Sequence, residues 1–105
     1  MKVIVLGMGL QGKAVIHDLE HSDLVSRIFA ADISLDDAEA YLGRMGYAKT
    51  RAVKLDVCLE KDLAGKYSDM DVDIVICMLP IELALVAARA AMNAGIPFVS
   101  SNYTY

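Results

Sequence analysis

The sequence has no run of about eighteen uninterrupted apolar residues, the length an apolar helix needs to cross a bilayer. No membrane span is therefore expected. Positive charge is not clustered either. The ten Lys and Arg are scattered from Lys2 to Arg89, the formal net charge is −4 and the isoelectric point is near 4.9. Phosphate backbones are gripped by grouped cations, so a nucleic-acid partner is not expected. Cysteine is scarce: Cys58 and Cys77 stand far apart, without a CxxC or a neighbouring His. This excludes a disulfide framework and argues against a metal site. The expectation is two reduced, buried thiols in a cytoplasmic protein. A linker, a low-complexity segment and a repeated unit are also missing. "MKVIVLG" is followed by a Gly-rich turn where a signal peptide would continue apolar, and reads as a first strand.

What is abundant is apolar residues. They make up 56% of the 105 residues, with a mean hydropathy of +0.43. One domain of this length buries about 65% of the surface its unfolded chain exposes. The high apolar content has a simple origin if the strands are covered on both faces, because such strands read as continuous runs.

Five apolar runs recur along the chain: "KVIVLG" (2–7), "RIFAAD" (27–32), "RAVKLD" (51–56), "DIVICML" (73–79) and "PFVSS" (97–101). They are rich in Val and Ile and bounded by Gly, Asp or Pro, as strands are. Helical stretches lie between them. "LQGKAVIHDLEHS" places Ala14, Val15, Ile16 and Leu19 on an inner face and Lys13, His17 and Glu20 outside. "SLDDAEAYLGRMG" opens on Ser34 as N-cap, with Asp36 and Asp37 in the first turn, and ends at Gly43 or Gly46. "LEKDLAGKY" is a short third helix. "PIELALVAARAAMNAG" starts at Pro80 and stops at Gly95. Strand–helix alternation with right-handed crossovers predicts an α/β fold, a doubly wound parallel sheet of five strands in order 3-2-1-4-5, helices on both faces. The sixth strand of a full dinucleotide fold is missing. In the fourth helix the polar residues reduce to Glu82, Arg89 and Asn93. Either this is simply an Ala-rich helix, or a further domain or a second copy of the chain, as a homodimer, covers it.

The segment "VIVLGMGLQGKAV" carries the chemistry. It is GxGxxG placed directly after a strand and opening a helix. Gly7 permits the tight turn, Gly9 lets the backbone approach a pyrophosphate, and Gly12 allows close packing of helix on strand. The amides of Met8, Leu10 and Gln11 then face the anion. The helix start adds about 0.3–1 kcal/mol per charge in exposed settings. Asp32 follows Gly12 by the interval of about 20 residues at which an acidic side chain accepts from the adenosine ribose hydroxyls, with Ile33 beside it. The competing reading of Asp32 is a turn cap. A 2′-phosphate beside its carboxylate meets repulsion of about 4 kcal/mol per charge pair at about 4 Å and an effective dielectric of about 20. No Lys or Arg follows until Arg44, so NAD is expected in preference to NADP.

Ligands of such sheets sit beyond the carboxyl ends of the strands. Asp56 and Val57 follow the third strand, where adenine is expected. Asp56 either accepts from the adenine amine or caps the next helix. Met78, Leu79 and Pro80 follow the fourth strand, on the expected path of the nicotinamide ribose. Cys77 has no His or Lys near it in sequence to activate it as a nucleophile. His17 and His21 share helical spacing but have no third ligand, and read as solvated.

On "VIVLGMGLQG", "KLDV", "DIVICMLP" with its Ala-rich helix, and "AGIPFVSSNYTY", the chain resembles the N-terminal NAD(P)-binding domain of the saccharopine dehydrogenase-like family over essentially its whole length. The resemblance implies a hydroxyl-rich end to the fifth strand near nicotinamide and substrate, matched by Ser100, Ser101, Asn102 and Tyr103. It also implies NAD(P)-linked oxidation or reduction at a C–N bond of an amino-acid substrate. A second domain would supply the substrate pocket and the acid–base residue. The 105 residues then form one cofactor domain of a longer enzyme, with no catalytic residue of its own. Asn102, Thr104 and Tyr105 depart from the family pattern, which leaves the substrate open. A nucleotide-sensing regulatory domain of the kind attached to potassium channels shares the glycine turn and the acidic residue, but does not call for "SSNYTY". A short-chain reductase needs a Tyr and Lys pair that the sequence does not offer.

Overall fold

A computed structural model of the chain describes residues 1–100. Nine elements alternate: β1 (Lys2–Leu6), α1 (Leu10–Glu20), β2 (Arg27–Asp32), α2 (Leu35–Met45), β3 (Thr50–Lys54), α3 (Leu63–Asp69), β4 (Ile74–Cys77), α4 (Ile81–Ala94) and β5 (Phe98–Ser100). All strand pairs are parallel, and the order is β3-β2-β1-β4-β5. The sequence-based order is the observed one.

The apolar runs explain the layers. Along β1, Val3 and Val5 point to one side, where they pack with Ile28, Ile16 of α1 and Ala38 of α2. Ile4 and Leu6 point to the other, against Val75, Cys77, Tyr67 of α3 and Ala87 of α4. These β1 side chains are at most 1% exposed, so β1 is covered on both faces and has no polar side to alternate with. No polar or charged side chain is fully buried among the described residues, apart from the Tyr67 hydroxyl, which donates to the Ala87 carbonyl at 3.3 Å.

Local signals set the helix ends. Ser34 Oγ accepts from the Asp37 amide, and Gly46, at φ +65°, ends α2, so Gly43 lies inside that helix. Asp62 caps α3 by accepting from the Gly65 amide. Gly95, at φ +71°, ends α4. Only a residue without Cβ adopts such left-handed angles at little cost.

Two expectations are corrected. Ala14 is exposed, because α1 seats on the sheet through Gly12 and Ile16, and Ala14 is about 200° around the helix from Gly12 at 3.6 residues per turn. Cys58 is also exposed, since it lies in the turn after β3, while Cys77 is buried. On α4 the buried residues are Ala84, Ala87, Ala90 and Ala91, and Leu85 and Met92 remain exposed.

Candidate functional site

The register brings the functional segments to one rim. Leu6 pairs with Ala31 on one side and Cys77 on the other, Asp32 pairs with Lys54, and Cys77 pairs with Ser100. The carboxyl ends of the strands are therefore level. The residues that follow them, Gly7, Ile33, Leu55 and Met78, surround a common cleft.

The turn after β1 is held by main chain and side chain together. Gly7 donates its amide to the Ala31 carbonyl at 3.0 Å, and at φ +98° it has the left-handed geometry the turn requires. The Met8 amide donates to Asp32 Oδ2 at 3.1 Å, and the Ser34 amide donates to Asp32 Oδ1 at 3.0 Å. Asp32 thus does cap a turn, and it also ties the glycine loop to β2. An ionised carboxylate offers about four acceptor positions, so about two remain for a ligand's hydroxyls.

Helix α1 begins at Leu10 with Gly9 as N-cap, no capping side chain and no acid in its first turn. Its first internal bond is from Lys13 to the Gly9 carbonyl, which leaves the amides of Leu10, Gln11 and Gly12 without an intrahelical acceptor. By contrast, α2 has both a capping Ser and two acids there. A helix start left bare beside a cleft favours an anion. Gly12 seats the helix: a Cβ at this position would collide with the Gly7 carbonyl oxygen. At Gly9 the space around a Cβ is open.

The cleft has a volume of about 270 Å³. Of the residues singled out from sequence, Gly7, Met8, Gly9, Asp32 and Ile33 line it from the first two strand ends. Asp56, Val57, Met78 and Leu79 line it from the third and fourth. Leu10, Gln11 and Gly12 stand at the helix start behind the loop, outside the lining. Pro80 is the exposed N-cap of α4 and also lies outside it. Ser100 ends β5 on the same rim. Ser101 and Tyr103 lie outside the described residues. Leu6, Ala31, Leu55 and Leu83 complete the walls. The first three fall within the runs read as strands from sequence, which gives no signal that they also line a cleft.

Asp56 resolves against one of its two readings. Its Oδ1 accepts from the Cys58 amide at 2.9 Å, and its carbonyl accepts from Leu59 and Glu60, so it closes the turn after β3. The cap of α3 is Asp62. Burial pushes the Cys77 thiol up, and a hydrogen bond from the Leu79 backbone offsets this only in part. That is the opposite of what activates a nucleophile. His17 Nδ1 and the Tyr47 hydroxyl are 3.0 Å apart, and His21 Nδ1 donates to the His17 carbonyl at 2.8 Å. No group of three metal-ligating side chains occurs among the described residues.

In three dimensions Asp32 borders a cavity that two cations also line. A second cavity, of about 380 Å³, opens between α1 and α2 and is lined by Lys13, Asp37, Tyr41 and Arg44. Met8 and Asp32 belong to both cavities. Lys13 precedes Asp32 by nineteen residues (32 minus 13), so a search for cations after β2 overlooks it.

The family described as saccharopine dehydrogenase NADP binding domain matches residues 3–105. The chain belongs to that family. Among solved structures, an apo saccharopine dehydrogenase (L-Glu forming) from Saccharomyces cerevisiae is 26% identical, with a TM-score of 0.82 over 99% of this chain. An NAD binding oxidoreductase from Klebsiella pneumoniae, 18% identical with a TM-score of 0.58 over 96% of the chain, shares the fold. The chain spans 22% of the yeast structure and 34% of the Klebsiella one. The family is described as an NADP binding domain, in keeping with the glycine loop that follows β1.

Proposed function

We propose that the chain is the cofactor domain of an oxidoreductase that acts on a C–N bond of an amino-acid substrate, with NAD preferred over NADP. The observation that carries the reading is the cleft where the Asp32 carboxylate, anchored by the Met8 and Ser34 amides, faces the strand ends beside an uncapped α1. The residues present fit a dinucleotide. The amides at the start of α1 would take the pyrophosphate, Asp32 the ribose hydroxyls, and Val57 and Ile33 the adenine. Met78 and Leu79 would line the path toward the nicotinamide. When bound, the cofactor supplies hydride transfer. This chain binds, orients and excludes water. Proton transfer and substrate recognition are assigned to the remainder of a longer enzyme, in keeping with a match to about a fifth of the yeast structure.

The preference for NAD rests on charge. A 2′-phosphate placed against the Asp32 carboxylate is repelled, and the hydroxyls of NAD are accepted. Family membership and the oxidoreductase relatives favour this reading over a nucleotide-sensing regulatory domain. Calorimetric titration with NADH and with NADPH tests it. NADH is expected to bind more tightly, and Asp32→Ala to lose most of that affinity. Absence of heat with both nucleotides would overturn the proposal.

A further inference from the structure

The end of α1 away from the glycine loop carries two imidazoles. His17 lies in the last turn and His21 is the C-cap, so the two side chains, four residues apart, stand on one face of the helix. Their ring centres are 4.6 Å apart, with the planes at 52°. Both residues are exposed. A pair at this spacing is the helical half of many zinc sites, in which a third protein group completes the set. Among the described residues no third His, Cys, Asp or Glu joins them, so the spacing alone says little.

The hydrogen bonds of the rings say more. His21 Nδ1 lies 2.8 Å from the His17 carbonyl oxygen. A carbonyl only accepts, so in the neutral ring Nδ1 carries the proton and Nε2 keeps its lone pair. His17 Nδ1 is 3.0 Å from the Tyr47 hydroxyl, whose oxygen can accept from it in the same way. Neither Nε2 has a hydrogen-bond partner among the described residues. Metal-ligating histidines are held in this manner, one nitrogen donating to an acceptor and the other left for the metal. The ring separation agrees. Two imidazoles bound through nitrogen at about 2.1 Å, at about 90–110° to one another, hold their ring centres about 4.6–5.3 Å apart.

Charge and space also fit an ion. The carbonyls that end α1 form the negative pole of the helix, which favours a cation. An open hollow beside His17 is lined in part by Lys13, Asp18, Tyr41 and Tyr47, so its formal charge is zero, and it leaves room for water ligands. Lys13 Nζ is held over the Tyr41 ring, 4.7 Å from its centre.

We propose that His17 and His21 form a two-imidazole site for a late first-row divalent cation, bound through both Nε2 atoms with water in the other positions, and that Tyr47 positions His17 for it. Imidazole suits copper(II), nickel(II) and zinc(II), whereas magnesium(II) prefers carboxylate and water oxygens. The ion would clamp the last turn of the helix whose first turn borders the dinucleotide cleft. The site stands or falls on these side chains, whatever nucleotide the cleft takes.

The test is calorimetric titration with nickel(II), and with magnesium(II) as the control. Every protein carries Cys58→Ser, because the exposed thiol is itself a metal ligand. One nickel(II) should bind per chain, and magnesium(II) should give no heat. His17→Ala and His21→Ala should each weaken nickel(II) binding by more than about tenfold, and Tyr47→Phe by about tenfold, the cost of losing an outer-shell partner. Nickel(II) should raise the urea midpoint of the parent chain but not that of the two His variants. Long-range proton–nitrogen NMR on the metal-free parent should show both neutral rings protonated on Nδ1, and Tyr47→Phe should release His17 from that form. Absence of nickel(II) heat, equal affinity in the His variants, or a ring protonated on Nε2 in the parent would overturn the site. Unchanged affinity in Tyr47→Phe would overturn the positioning role.

Discussion

Replacing Gly12 by alanine isolates one contact on which the site depends. A Cβ at this position would overlap the Gly7 carbonyl oxygen, a main-chain atom with no rotamer to escape into. Gly7 itself is pinned, with its amide on the Ala31 carbonyl at 3.0 Å and φ at +98°. The substitution gains about 1 kcal/mol of helix propensity. Overpacking a tight contact costs about 1–3 kcal/mol and sometimes more. Because the obstructing atom is backbone, the upper part of that range or beyond applies, and the net loss is about 2 kcal/mol. For a domain of this size that lowers the melting temperature by about 8–16 °C. Gly43→Ala is the matched control. Gly43 lies within α2, is exposed and has nothing within 4 Å of a built Cβ, so it should stabilise by about 0.5–1 kcal/mol. Urea unfolding followed by circular dichroism measures both. A Gly12→Ala chain as stable as the wild type would show that α1 is not seated against the glycine loop as described.

Three further outcomes follow from the same geometry. Gly9→Ala has open space around it and should melt like the wild type, yet bind NADH at least about tenfold more weakly; unchanged affinity would place the pyrophosphate elsewhere. Iodoacetamide on the native chain should modify Cys58 and spare Cys77, with both reacting in denaturant, as mass spectrometry would show; early modification of Cys77 would contradict its burial. Stability should fall as the pH rises above about 9. Burial raises the pKa of Cys77 from its ordinary 9.0 and that of Tyr67 from 10.0, so above those values the folded chain holds protons that the unfolded chain has released. The slope is at most about 1.4 kcal/mol per pH unit per group, and Cys77→Ala combined with Tyr67→Phe should flatten it in urea titrations at pH 8, 9.5 and 11.

Much of the fold was legible because its signals are local. Each strand announces itself as a Val- and Ile-rich run, and Ser34, Gly46, Pro80 and Gly95 mark helix ends where the structure has them. The right-handed crossover then leaves little freedom in strand order. Nearest-neighbour reading failed where burial depends on what faces a residue across the sheet. Ala14 looked internal by helical spacing, but α1 meets the sheet through Gly12 and Ile16, with Val15 and Leu19 partly buried beside them. Cys58 looked like a core thiol because cysteines usually are, yet the Asp56 turn carries it outward. In the site, residues attached to a strand end could be placed from sequence, since parallel strands finish on one rim. Lys13 and Arg44 could not, because they reach Asp32 through the packing of two helices.

Asp32 shows why cofactor choice and loop geometry are not independent in this fold. Its Oδ2 accepts from Met8 in the glycine loop, and its Oδ1 accepts from Ser34 at the start of α2. Two of its roughly four acceptor positions are thus structural, and about two remain for a ligand. A carboxylate suits both tasks because it only accepts. An amide brings one donor, which would confront either the Met8 or the Ser34 amide or else a ribose hydroxyl. A basic residue at this position would meet a 2′-phosphate well but would leave both main-chain amides without an acceptor. Substitution at Asp32 therefore unfastens the glycine loop as well as removing the carboxylate. Lys13 and Arg44 stand outside that constraint, on helix faces with no part in holding the turn.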